Sequence, residues 1–358
     1  MADEKLPLTL HSGSGLVHIG SQGGRILAEM VNQSLVLSRG LNPSTAMVRR
    51  FRIGDHDLCE PDYQQILLWA KAMEIVPETV IERLLNDGEN DSEKANGTVF
   101  ENGRIINLAW DIDLLPLDSF EWVKGLVIET IDCSGCRLTA LDMSAVPLLT
   151  KLDCEFNKLT ELELSAVPLL TSLSCEFNKL TELELSAVPL LTELYCERNE
   201  LTELELSAVP LLKNLSWGYN QLTELELSAV PLLTWLFCSN NQLTELELSA
   251  VPLLSTLSCE RNELTKLDLS AVSLLTNLWC GHNQLSELDL SAVPLLKELN
   301  CGSNELTELE LSAVPLLTKL ECSSNELVEL DIRLLWNLTT LKYDKGKTRL
   351  IQRPDQNF

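Results

Sequence analysis

The chain has 358 residues, 45% apolar but only 5% aromatic, with 53 acidic against 27 basic residues and a formal charge of −26. The apolar share is enough for a core built mainly of aliphatic side chains. The acidity speaks against nucleic acid or anionic membrane as a partner, because phosphates call for clustered Lys and Arg; a basic protein partner fits better, although high charge also serves solubility.

The N-terminal MADEKLPLTL has no basic segment followed by an apolar one, which is what a secretory signal needs. No run of about 18 uncharged apolar residues occurs, and the C-terminal RPDQNF carries no lipidation box. The expectation is a cytoplasmic protein without a membrane span; export by a route that uses no such signal stays open.

Residues 1–87 are non-repetitive and read as a small, mostly helical N-terminal domain, or a helical cap, of no recognised family. Helical patterns run over about 24–38, 62–73 and 78–86, with Pro61 and Pro77 near two of the starts, where a missing N–H is tolerated. GSGLVHIGSQGG (13–24) lacks the Gly-Lys-Ser/Thr ending of a phosphate loop and reads as a flexible lead-in. Arg49, Arg50 and Arg52 read as a solvated basic face or as members of intramolecular ion pairs. The polar stretch 88–98 reads as a linker, and 99–130 as a cap with an irregular first repeat, Leu108-Ala109-Trp110 standing 23 residues before Ile131-Asp132-Cys133.

From 131 to 346 the pattern L-x-x-L-x-C-x-x-N-x-L returns every 21 residues, as in LTKLDCEFNKL (149–159). A period of this kind is the signature of a solenoid. Apolar and polar positions alternate in L-x-x-L-x-C, as a half-buried strand requires. Leu152 and Cys154 then point in, Lys151 and Asp153 out. Eleven register positions from Ile131 to Leu341 make a sheet about 50 Å long at roughly 4.8 Å per strand. The recurrent Asn sits where the chain leaves the strand, where its amide can satisfy backbone groups left by the turn. The intervening LTELELSAVPLL is repeated letter for letter from 159, 180, 201, 222, 243 and 306. It reads as a second short extended segment, then a turn through Ser165-Ala166-Val167-Pro168, with paired glutamates forming a solvated outer face. Residues 347–358 read as a basic tail covering the open end of the core.

These repeats resemble those of the leucine-rich-repeat family, and the cysteine at the third apolar position is most like the bacterial internalin type with a cysteine ladder. The resemblance implies a right-handed solenoid, mainly β, with a parallel sheet on its concave face.

Nine cysteines share one inward position, with Trp217 taking that place once. They read as free buried thiols, each a small hydrophobe, and no disulfide, metal or cofactor is expected. Cys133-Ser134-Gly135-Cys136 lacks the further ligands a zinc site needs. Pairings of Cys59 with His18 or His56 have nothing to fix their geometry, so catalysis is not expected.

Within one chain, the repeats differ mostly at the outward positions around Leu-x-Cys. Seven of the chain's 7 Trp, 4 Tyr and 7 Phe stand there: Phe156, Phe177, Tyr195, Tyr219, Trp235, Phe237 and Trp279. Exposed aromatics are typical interface anchors. Together with Arg198, Arg261 and His282 they form the candidate partner-binding set, flanked by Glu155, Glu176, Glu193, Glu197 and Glu260, which would steer a basic protein or peptide. The reading is a non-enzymatic recognition module. Two other assignments fit the same sequence: a scaffold whose N-terminal domain does the recognising, and an effector or enzymatic activity in residues 1–87 that the repeats target.

Overall fold

The computed structural model describes residues 9–12, 15–18, 50–53, 56–72, 77–86, 99–101, 104–109 and 127–358. The expected helix at 24–38 and linker at 88–98 lie outside the described residues. None of the described helices is long and apolar enough to cross a membrane.

Two helices stand close to where the spacing predicts them, α1 (Glu60–Ala72) and α2 (Pro77–Asn86). Asp62, Gln65, Ile66, Trp69 and Ala70 of α1 are buried while Leu68 on the other side is exposed, the one-face pattern of an amphipathic helix. Two antiparallel hairpins accompany them, which the sequence patterning does not announce. β1 (Thr9–Ser12) pairs with β2 (Gly15–His18), so part of the Gly/Ser segment is strand rather than lead-in. β3 (Arg50–Ile53) pairs with β4 (His56–Cys59), putting Arg50 and Arg52 on a strand. Ile53 and Leu58 of that hairpin join the same apolar cluster as α1 and the first repeats. Asp62 accepts a hydrogen bond from the Ile105 N–H at 2.8 Å, tying α1 to β6 (Arg104–Ala109).

One sheet of 13 strands runs through the repeats. It opens with β5 (Val99–Glu101) antiparallel to β6 (Arg104–Ala109); β6 then pairs in parallel with β7 (Thr130–Asp132), placing Leu108 opposite Ile131 as the 23-residue offset predicts. Nine three-residue strands follow in constant register, β8 (Lys151–Asp153), β9 (Ser172–Ser174), β10 (Glu193–Tyr195), β11 (Asn214–Ser216), β12 (Trp235–Phe237), β13 (Thr256–Ser258), β14 (Asn277–Trp279), β15 (Glu298–Asn300) and β16 (Lys319–Glu321). The ladder skips β17 (Glu329–Asp331) and closes on β18 (Thr340–Lys342), with Leu341 opposite Leu320. β17 pairs with β19 (Arg349–Ile351) away from the main sheet, and Leu350 and Phe358 pack, partly buried, against the core.

Most of the inward apolar positions of the repeats are buried, Leu173, Cys175, Leu180, Val188 and Leu191 completely. Each asparagine does more than finish its own turn. Asn199 Nδ2 donates to the carbonyls of Cys175, Cys196 and Glu197 at 3.0, 3.1 and 3.2 Å, and its Oδ1 accepts the Leu180 N–H at 3.0 Å. One side chain thus joins two repeats. A second row, absent from the sequence reading, precedes the strands: Thr171 Oγ1 donates to the Thr150 carbonyl, and Thr192 Oγ1 to that of Thr171, both at 3.0 Å. Several ladder thiols donate onward in the same way, Cys154 Sγ to the Ser174 carbonyl at 3.3 Å and Cys196 Sγ to that of Ser216 at 3.4 Å.

The copied half alternates as expected, with Leu162 and Leu164 buried and Glu161 and Glu163 exposed. It forms no ladder before β17, however. Adjacent copies are linked there by one main-chain bond, Lys179 N–H to the Leu159 carbonyl at 2.9 Å, beside the asparagine contact. The turn is made by Val167 N–H to Leu164 and Leu170 N–H to Val167, both 3.1 Å, leaving Pro168 where no donor is needed. The second acid of each pair caps this turn: Glu163 Oε1 accepts the Ser165 N–H at 3.0 Å, and Glu184, Glu205, Glu226, Glu247 and Glu310 repeat the contact. That bond holds the Glu163 carboxyl below the usual range. Half of the acidic skin is therefore turn chemistry.

Trp217 fills the ladder position completely buried, and its indole N–H has no acceptor. Replacing Asn199 by Ala leaves buried carbonyls and one N–H without partners and lowers stability by about 3 kcal/mol, measured as a urea midpoint shift. Trp217→Cys restores the ladder letter but opens a cavity; it is expected to cost about 3 kcal/mol in the same assay, and an unchanged midpoint would show that the site collapses around the smaller side chain.

Candidate partner-binding face

Most repeat strands bury a central leucine and turn the flanking residues to the sheet surface, as in the half-exposed Glu193 and Tyr195 around buried Leu194, while Ser216 and Ser258 are themselves buried. The candidate residues do not form one set on this surface. Tyr195, Trp235, Phe237 and Trp279 lie on strands. Phe156, Phe177, Arg198, Tyr219, Arg261 and His282 lie one step beyond, in a turn where φ is 52–56°. Two residues past the cysteine the chain has left the strand, and the main-chain N–H reaches the next repeat, Phe156 N–H to the Glu176 carbonyl at 3.0 Å. The left-handed conformation is uncommon for large side chains, yet it recurs in every repeat because the inter-repeat bonds and the asparagine impose it.

The turn row forms a column along one edge. The rings of Phe156 and Phe177 stack at 4.2 Å and 20°. The Arg198 guanidinium lies 5.0 Å from the Phe177 ring and 3.8 Å from that of Tyr219, within cation–π range of both. The strand row forms a separate cluster: Tyr195 meets Trp235 at 6.2 Å, and Trp235 stacks with Phe237 at 6.0 Å. Gly218 makes this arrangement fit, since a Cβ there would stand 2.8 Å from the Phe237 ring. Trp279 is two strands further on, half-exposed, and joins none of these ring contacts among the described residues. Arg261 and His282 are exposed and flank Glu260, whose Oε1 accepts Asn300 Nδ2 at 2.7 Å.

Charge divides the face. Burial and then the charges of Asp153, Glu176 and Asp132 push the Glu155 carboxyl up to about 7. Glu176 is raised by burial and by Glu197; Glu260 is raised by burial, with His282 and Arg261 opposing. No Lys or Arg among the described residues forms an ion pair with Glu155, Glu176, Glu193 or Glu197. Towards the other end Lys319 pairs with Glu298 at 2.7 Å and Lys342 with Glu321 at 2.6 Å. These four acids of the early repeats therefore lack the lysine partners that Glu298 and Glu321 have.

Two other surfaces compete. The back carries a shallow groove of about 1010 Å³ lined by Glu161, Glu163, Glu182, Glu184 and their neighbours, half of them engaged as turn caps. One flank exposes Leu253, Leu274, Leu295 and Leu316. Neither combines aromatics with unpaired charge. The ladder thiols offer no nucleophile: burial pushes Cys238 and Cys280 up to about 12, and the thiolate is the reactive form. Cys133 and Cys136 are both buried, and among the described residues no group of three His, Cys, Asp or Glu is placed to hold a metal ion.

A carboxyl whose pKa is higher folded than unfolded favours the fold below its unfolded value, and that contribution is lost as pH rises through the folded value. For Glu155 the window runs from about 4.5 to about 7. Glu155→Gln should therefore raise the melting temperature at pH 8 and lose that gain towards pH 4.5, read by circular dichroism; an equal gain at both pH values would contradict this origin.

No protein-family model and no curated protein sequence matches the chain. Among solved structures, the functional domain of InlJ from Listeria monocytogenes, which includes a cysteine ladder, is 36% identical with a TM-score of 0.57, over 68% of this chain and 52% of that one. This chain thus spans about half the length of that relative. The internalin InlF of the same organism is 20% identical (TM-score 0.56; 77% of this chain, 91% of that one). A leucine-rich-repeat protein of Leptospira interrogans is 23% identical (TM-score 0.56; 64% and 68%). The last two show the shared fold alone. With its 21-residue period, parallel sheet and row of buried cysteines, the chain belongs to the leucine-rich-repeat proteins, of the internalin type with a cysteine ladder.

Proposed function

We propose that this protein is a non-enzymatic recognition module that binds a protein or peptide on its sheet face. The observation that carries this reading is the half-exposed cluster of Tyr195, Trp235 and Phe237 at mid-array, held over Gly218. It sits beside carboxylates that lack the lysine partners of Glu298 and Glu321. Rigid aromatics anchor interfaces at low entropic cost, and unpaired like charges gain most when an opposite charge arrives. The partner that fits is basic. The solved relatives, repeat proteins of recognition type, support the general reading. The fixing of α1 to β6 through Asp62 supports residues 56–86 as a cap rather than an independent recognising domain.

A triple variant, Trp235→Ala/Phe237→Ala/Trp279→Ala, should fold with an unchanged urea midpoint and lose partner capture in a pull-down, each anchor contributing about 2 kcal/mol. Capture of every partner by the folded triple variant would overturn the reading.

A further inference from the structure

The edge column has an unfilled end. Its members are recognised by one main-chain bond to the next repeat: Phe156 N–H to Glu176, Phe177 to Glu197, Arg198 to Gly218, Tyr219 to Ser239. Gly135 makes the same bond, to the Glu155 carbonyl at 2.9 Å, and shares the left-handed φ at 69°. The column therefore begins at Gly135, with Phe156 next. Successive places are about 4.8 Å apart, near the spacing of stacked planar groups. One face of Phe156 is covered by Phe177. On the other side the next place in the column is Gly135, where a Cβ would meet nothing within 4 Å, and Phe156 is the most exposed ring of the column at 52%.

Further along, the protein shows what such a place accepts. Arg198 occupies the same turn position and lays its guanidinium between two rings. The seat beside Phe156 is richer in negative charge, because Glu155 precedes Phe156 in the chain and lies within electrostatic reach of Asp153 and Asp132. Arg137 and Lys151 are the nearby exposed bases. Neither is in cation–π contact with the Phe156 ring.

We propose that the open face of Phe156 above Gly135 seats an arginine side chain from an extended basic segment of the protein partner, the guanidinium stacking on the ring and pairing with Glu155 and its neighbouring aspartates. This rests on the sheet face being the recognition surface and names what its first repeats read. Arginine is selected over lysine because a planar fork can lie flat on a ring while bonding a carboxylate in its own plane. An ammonium cannot do both.

The test uses the full chain and three blocked nonapeptides alternating Ser and Gly around two arginines, two lysines or two citrullines, titrated calorimetrically at low salt. Two variants copy residues the array already tolerates at this turn position: Gly135→Arg, as at Arg198 and Arg261, fills the seat from within, and Phe156→Ser, as at Ser303 and Ser324, removes its wall. The wild type should bind the arginine peptide at least about five-fold more tightly than the lysine and citrulline peptides, a preference of the size expected for cation–π stacking joined to charge pairing. Both variants should lose that preference with the urea midpoint retained. Equal binding of arginine and lysine peptides, no binding at all, or a preference that survives Gly135→Arg would overturn the seat. If the wild type shows no arginine preference while the mid-array triple variant loses its partner, the seat falls and the recognition face stands. If the preference is present while the triple variant keeps its partner, the seat stands and the mid-array reading falls.

Discussion

Everything in this molecule depends on neighbouring repeats staying in phase, and the asparagine side chain enforces that phase. Asn178 Nδ2 reaches the carbonyls of both Cys154 and Cys175, and its Oδ1 receives the Leu159 N–H. These groups belong to two consecutive repeats and are buried. Insertion of a single residue would leave them facing nothing, and a buried polar group without a partner costs on the order of 1–3 kcal/mol. The 21-residue period is the sequence record of that constraint.

Phase then decides which positions are free to change. The leucines, the valine and the cysteine stack on their own copies, so a change there must keep the core filled, as Trp217 does at the ladder position. The second glutamate is held by its cap to the serine N–H two residues on. What remains free is the pair of strand positions facing outward and the residue in the left-handed turn. Because the backbone there is fixed from both sides, large side chains such as Phe156 and Tyr219 are carried in a conformation they do not favour alone. Substitutions at these positions are therefore read out as rows and columns on a rigid frame: a stacked edge column, a mid-array aromatic cluster, and a carboxylate row neutralised by lysines only towards the C-terminal end.

Much of this was legible in the order of residues. Periodicity places Leu341 beside Leu320, the apolar pattern places Leu108 beside Ile131 across an irregular 23-residue offset, and the recurrent asparagine is assigned to backbone work. Stacking makes the spacing so regular that a single register error would be visible. The hairpins were not legible, because β3 and β4 take their burial from contacts with α1 rather than from a pattern of their own. Nor was the division of the aromatic set: spacing places Phe156 and Asp153 on one variable stretch, and only the bond from Phe156 to the following repeat moves its side chain to the edge. The cap made by Glu163 was hidden for a related reason. Its sequence neighbour Glu161 looks the same in composition and makes no such bond among those at this turn. The empty place above Gly135 could have been found by lining up the C-x-x-N turns, where Gly135 stands in the column that Phe156 begins to fill.

The central claim is that the sheet face and its edge column, not the back or the N-terminal cap, meet the partner. Hydrogen–deuterium exchange on the full chain, free and saturated with its captured partner, tests this most directly. The account predicts new protection concentrated at the strands and left-handed turns between residues 130 and 282, with the copied back segments unchanged. Protection confined to residues 1–87 or to the LTELEL segments would contradict it.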